Sequence, residues 1–185
     1  MDQLKVFISS TQKDLQLERN SAQAVIEQLG HQCLRAEMYD APGTSPEFAC
    51  KEMAKDCHIY IGIYGPRYGY IVPEIGISAT EMEYREARKN NLNKLFIYVK
   101  NTNDIEPDQN RFLEEVEGFC NGYFRHERFS DSSELMEQVR RDVITWTTRQ
   151  IRRLLGKEIE TQALRDKVAH LSRVMELYGI PEELR

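Results

Sequence analysis

No apolar run in this 185-residue sequence approaches the roughly 20 residues that a membrane-spanning helix needs, so no transmembrane segment is expected. A basic excess is missing too. The 25 Lys+Arg stand against 30 Asp+Glu, which argues against a chain-wide electrostatic grip on nucleic acid. Direct nucleic-acid binding is not expected, and any polyanion site must be local. Cysteine is scarce: Cys33, Cys50, Cys57 and Cys120 are widely spaced, without a CxxC or HxxxH pair, and read as reduced thiols. The adjacent Cys57 and His58 introduce a strand and read as packing rather than as a zinc or catalytic dyad. No metal is expected. The opening MDQLKVFISS has neither a signal-peptide nor a transit-peptide pattern, which makes the cytoplasm the expected location. GxGxxG and GxxxxGK[ST] are both lacking, so neither a Rossmann dinucleotide grip nor a P-loop is supported. What the chain does have is 41% hydrophobic and 30% charged residues, the balance of a folded domain with a modest extension.

LKVFISS, at residues 4–10, is a β-branched and aromatic run ending in small polar residues. After it Leu15, Ala22, Val25, Ile26 and Leu29 recur at helical spacing, with Ser10 or Thr11 as the cap and Gly30 as the stop. With Thr11 at the cap, Asp14 falls at the acidic position of a capping box. A short strand is expected within residues 32–38, then a helix opening at Pro46, a third strand in HIYIGIYG, a Gly- and Pro-rich loop, and a helix from about Ala79 to Asn91. KLFIYVK is a fourth strand, Pro107 to Asn121 another helix, and GYFRHERF a short fifth strand. Strands alternating with helices predict an α/β fold with a parallel sheet between two helical layers. The flavodoxin-like order 2-1-3-4-5 fits five strands in about 130 residues, and places the ligand crevice at the carboxyl ends of strands one and three.

The α/β domain is expected to cover residues 1–131 and a helical extension residues 132–185. Two helices separated by GKE, joined as an antiparallel hairpin, are the expected form of that extension. In the second, Leu164, Val168, Leu171, Met175 and Tyr178 are spaced four, three, four, three, a seam that suits the preceding helix or another chain.

The predicted crevice gathers SSTQKD, YGPRYGY and SATEMEYREA. Ser9, Ser10 and Thr11 offer hydroxyls and backbone N–H groups at a helix start, which suits a phosphate or carboxylate or serves capping alone. In the second loop Gly65 admits a ligand close to the backbone, Arg67 is a permanent charged fork, and Tyr64, Tyr68 and Tyr70 are stacking faces. That inventory suits a nucleotide; a packed loop with Arg67 paired to an acid such as Glu74 is the rival. Ser78 and Glu81 form an S-x-x-E capping box. Glu83 shares a helix face with Ala79 and Ala87, and a carboxylate packed there would have its pKa raised and become usable as a base or nucleophile.

VFISSTQKDLQLER, IYIGIYGPRYGY and GISATEMEYREA, in that order, resemble the TIR-like domain of unknown function found at the N-termini of NACHT and other STAND signalling NTPases. The resemblance is strong over residues 4–100 and weaker beyond. Within it Asp14, Glu18 and Arg19 belong to the opening motif, where a charged network fixes the first helix. Kinship with TIR domains and nucleoside deoxyribosyltransferases implies a glutamate beside a ribose, at Glu83 with Glu81 as competitor, and cleavage of an N-glycosidic bond. The expected function is therefore a signalling or defence domain that binds a nucleotide, with no resident cofactor and NAD as a candidate substrate. The alternative is a non-catalytic self-association module, acting as a homo-oligomer or with fused signalling domains.

Overall fold

In a computed structural model, the described residues are 3–38, 46–90, 94–118 and 127–177. Four parallel strands, β1 (Lys5–Ser9), β2 (Gln32–Leu34), β3 (Ile59–Tyr64) and β4 (Leu95–Val99), form a sheet in the order β2-β1-β3-β4. Val6 to Ser9 pair with Ile59 to Gly62, and Tyr60 to Tyr64 pair with Leu95 to Val99. β3 is buried along its whole length, as its unbroken apolar sequence requires of a strand covered on both faces.

Side chains alternate across the sheet. Phe7, Tyr60, Tyr64, Leu95, Ile97 and Val99 share one face and form a core with Ala54, Tyr84, Ala87, Phe112, Leu113 and Val116. Those partners come from α2 (Pro46–Asp56), α3 (Ala79–Asn90) and α4 (Pro107–Glu117). Val6, Ile8, Ile59, Ile61 and Ile63 face the other way. α1 (Gln16–Gln28) connects β1 to β2 on that side, since right-handed crossovers to the two neighbours of β1 leave on opposite faces. Its Ala22, Val25 and Ile26 are fully buried.

The start of α1 departs from expectation. Neither Ser10 nor Thr11 caps it: residues 12–14 form a turn, the cap position is Leu15, and no side chain bonds the free N–H groups there. The predicted stop holds. Gly30 has φ +78°, its N–H donates to the Glu27 carbonyl and the His31 N–H to that of Ile26, the bond pattern of a left-handed glycine cap.

Two further expectations are corrected. The sheet has four strands among the described residues rather than five. Residues 119–126, most of the expected fifth strand, lie outside the described residues; the rest of it contributes one isolated parallel bridge, Lys100 to Phe129, beside the end of β4. Nor is there a hairpin. α5 runs unbroken from Ser132 to Leu177 through the expected GKE turn. Gly156 has no left-handed φ there, and a helical glycine costs only about 1 kcal/mol against alanine, too little to break a helix flanked by Leu, Lys and Glu. The chain divides into two compact units, Met1–Arg141 and Asp142–Arg185, with residues 132–141 of α5 in the first. There Leu135 and Val139 are fully buried.

No helix among the described residues is long and apolar enough to cross a membrane, and no cluster of His, Cys, Asp and Glu among them could hold a metal ion. Cys33, Cys50 and Cys57 are buried and in no disulfide; Cys120 lies outside the described residues. Burial pushes Cys33 up to about 12 and Cys57 to about 11. Cys57 and His58 do not act together: the thiol donates to the Ala54 carbonyl at 3.2 Å, while His58 Nδ1 accepts the Lys5 N–H at 2.9 Å.

Candidate functional site

Because the strands are parallel, β1 and β3 end at the same edge of the sheet, and the segments that follow them meet there. A cavity of about 480 Å³ opens at that edge. Ile8, Ser10, Thr11, Gln12, Lys13 and Arg19 line it from β1, the loop after it and α1; Arg67, Gly69 and Tyr70 from the loop after β3; Cys50 from α2; and Ala79, Thr80, Met82 and Glu83 from α3, with Ala36 completing the wall. The volume suits a nucleoside-sized ligand.

Glu83 sits at the inner end. It is 5% exposed, and the Ser9 hydroxyl donates to its Oε2 at 2.5 Å, so the last residue of β1 is tied to the second turn of α3. Burial pushes the Glu83 carboxyl up to about 7, against the opposing pull of hydrogen bonds from Ser9 and Cys50. Behind it, burial, aided by the charge of Glu83, holds the Tyr60 hydroxyl well above its ordinary range, and that hydroxyl shares a 3.0 Å bond with Tyr64. The carboxyl group is thus poised between its two protonation states near neutrality, on a residue that lines the cavity.

Its competitor Glu81 is already engaged. Its N–H donates to the Ser78 hydroxyl at 3.1 Å, as the capping box predicts, while its carboxylate accepts the Tyr68 hydroxyl at 2.5 Å and pairs with Arg85 at 2.5 Å. The half-turn offset between the two glutamates sends one into the scaffold and the other to the cavity.

The opening motif builds the opposite wall. Arg19 is 1% exposed; its Nη1 donates to the carbonyl and hydroxyl of Ser10 at 2.9 and 2.7 Å, and its Nη2 to both Glu37 oxygens, at 2.7 and 2.5 Å. Arg35 also binds Glu37. Burial raises Glu37, but the two arginines outweigh it and hold the carboxylate below its ordinary range. The expected network of Asp14, Glu18 and Arg19 is therefore three separate arrangements. Arg19 joins Glu37, Glu18 pairs with Lys100 at 2.5 Å, and the buried Asp14 oxygens accept no bond from protein. Thr11 lines the cavity, and its Oγ1 is likewise buried without a hydrogen-bond partner among the described residues.

The loop after β3 is clamped by α4. The Glu106 carboxylate accepts the Tyr68 N–H at 2.8 Å, the Glu106 N–H donates to the Pro66 carbonyl at 2.8 Å, and Gln109 Nε2 to that of Gly65 at 2.9 Å. Gly69 is at φ +91°, where a Cβ would stand 2.8 Å from Thr11 Cγ2, so only glycine allows these two segments to touch. Arg67 is exposed at the cavity; it approaches Glu106 at 4.0 Å rather than the anticipated Glu74, leaving most of its donors to solvent.

Of the residues expected from sequence, Ser10, Thr11, Arg67 and Glu83 line the cavity and Ser9 bonds Glu83. Tyr64, Gly65 and Tyr68 are not among the residues that line it, for a packing reason. Tyr64 belongs to the core, its ring edge-on to Phe112 at a centroid distance of 5.0 Å; Gly65 is buried beside Asp14 and Leu15; and Tyr68 turns its hydroxyl to Glu81. Tyr70, 62% exposed, is the tyrosine of that loop at the cavity. Sequence reasoning missed Cys50 as a lining residue and Arg19 as a wall of the site, and placed Thr80 and Met82 there only as part of the SATEMEYREA stretch.

Residues 5–144 match the family described as a domain of unknown function, DUF4062. The chain belongs to that family. None of the curated proteins matches this DUF4062 sequence. Among solved structures it is similar to a diflavin flavoprotein A3 from Nostoc sp., at 14% identity and a TM-score of 0.48, covering 80% of this chain and 96% of that one.

Proposed function

We propose that this DUF4062 chain is a TIR-like signalling or defence domain that binds a nucleotide in the cavity at the ends of β1 and β3 and cleaves its N-glycosidic bond, with NAD as the first candidate substrate. The observation that carries the reading is the buried Glu83 carboxyl, raised to about 7, on a residue lining a cavity that also has hydroxyls and cations in its wall. In the reaction the bond between the anomeric carbon and the base nitrogen breaks and its electron pair leaves with the base. The ribosyl cation is stabilised, or captured covalently, by the Glu83 carboxylate. Water then adds to the anomeric carbon and loses a proton, leaving a free sugar hydroxyl. A nicotinamide suits this route because its nitrogen leaves neutral.

Ser9 orients the carboxylate, the Thr11 hydroxyl meets a sugar hydroxyl, Arg67 and Lys13 face a phosphate, and Tyr70 offers a ring face to the base. The test is product chromatography after incubation with NAD or nucleosides. The natural protein releases free base, and Glu83→Gln, shown by circular dichroism to be folded, loses activity by about 100-fold or more. Release unchanged in the variant, or no release by the natural protein at high concentration, refutes the enzymatic reading. A second reading, self-association without chemistry, is favoured by one observation: large apolar side chains stand exposed along α5.

A further inference from the structure

Residues 142–177 form a helix about 50 Å long that exposes Leu154 (66%), Ile159 (69%), Leu164 (63%) and Val168 (56%) to solvent. An isolated helix exposing such residues is short of a partner. Their spacing says which one. Ile144, Thr147, Ile151 and Leu154 follow one another at intervals of three, four and three, and Thr161, Leu164 and Val168 at three and four. The two runs are out of phase by one slip beside Gly156, and the pattern reads nearly the same backwards about a point between Lys157 and Glu158.

We propose that the chain dimerises through this segment as an antiparallel coiled coil whose two-fold axis passes between Lys157 and Glu158. In that register Ile151 faces the partner's Leu164, Thr147 the partner's Val168 and Leu154 the partner's Thr161, the alternating layers that an antiparallel pair requires.

Charge selects the same arrangement. Residues 149–157 carry Arg149, Arg152, Arg153 and Lys157 and no acid, whereas residues 158–166 carry Glu158, Glu160 and Asp166 against Arg165. Antiparallel packing sets Lys157, on the same face as Leu154 and Thr161, opposite the partner's Glu158, and Glu158 opposite the partner's Lys157. A parallel in-register pair would set Lys157 and Glu158 each against its own copy. A hairpin within one chain would make the same contacts, but α5 is continuous, so a second copy must supply them. This inference does not depend on turnover at Glu83.

The experiment is sedimentation of the full chain from about 1 to about 100 μM, a range over which mass action resolves a reversible dimer. The natural protein reaches twice the 21.7 kDa chain mass. Leu164→Glu weakens the dimer by about 100-fold, as expected of a charge placed at a buried apolar contact, without changing the circular dichroism of the α/β unit. Lys157→Glu and Glu158→Lys each weaken it and together restore it. Under mild oxidation Glu158→Cys gives a disulfide-linked dimer beyond that of the natural chain. Ile151→Cys does not, because its two copies lie about 20 Å apart along the axis. A monomer at every concentration, a dimer indifferent to Leu164→Glu, or equal cross-linking through Ile151→Cys overturns the proposal.

Discussion

Replacing Glu83 by glutamine makes the protein more stable at alkaline pH and scarcely changes it at acid pH. The folded carboxyl has a pKa of about 7 against an ordinary value of 4.5, a gap of about 2.5 units. Below about pH 4.5 it is protonated in both states and contributes nothing to pH dependence. Between 4.5 and 7 the unfolded chain releases its proton first, so folding stability falls as pH rises, and the loss is complete above 7. At about 1.4 kcal/mol per unit, the full cost is about 3 kcal/mol. Glutamine has no proton to release and can still accept the Ser9 hydroxyl, so the variant escapes this loss. Urea unfolding of both proteins at pH 5 and pH 8, followed by far-ultraviolet circular dichroism, reads the difference directly. The variant gains about 3 kcal/mol at pH 8 and less than about 1 kcal/mol at pH 5. A stability difference that does not change between the two pH values refutes the claim that this carboxyl is held out of water.

Cleavage that needs the ionised Glu83 rises with pH through about 7 and then levels, which a rate profile of base release checks. Ser9→Ala removes a bond that favours the charged form, so that profile moves to higher pH. Gly69→Ala forces a side chain into a left-handed backbone and onto Thr11, costing about 1–2 kcal/mol in denaturant unfolding and weakening nucleotide binding by calorimetry. Arg19→Ala opens the wall and removes the bonds to Ser10 and Glu37; because Glu37 is one-third exposed and keeps Arg35, the loss is about 2–3 kcal/mol, below that of a fully buried pair, again by urea unfolding.

The α/β unit was legible where local pattern and burial agree. VFIS and IYIGIY announce covered parallel strands, Gly30 a helix end, and Ser78 with Glu81 a capped helix, and the first four strands of the expected flavodoxin-like order are those that bring Ser9 to Glu83. Patterns that require a tertiary decision were not legible. Ser10 and Thr11 look like caps, but Arg19 takes the Ser10 hydroxyl and the helix begins at Gln16. The tyrosines of YGPRYGY look equivalent, yet only burial separates Tyr64 in the core from Tyr70 at the cavity. Cys50 carries no sequence signal because its place in the site depends on how α2 packs against α3. Gly156 reads as a turn, and only its ordinary helical backbone shows that the segment continues.

The most direct test of the central claim is a crystal structure of the protein with a non-cleavable carbocyclic analogue of NAD. The account predicts the analogue in the cavity between Thr11, Arg67 and Tyr70, with the ring atom that replaces the anomeric centre lying against the Glu83 carboxyl group. An analogue bound elsewhere, or in the cavity with that atom turned away from Glu83, contradicts it.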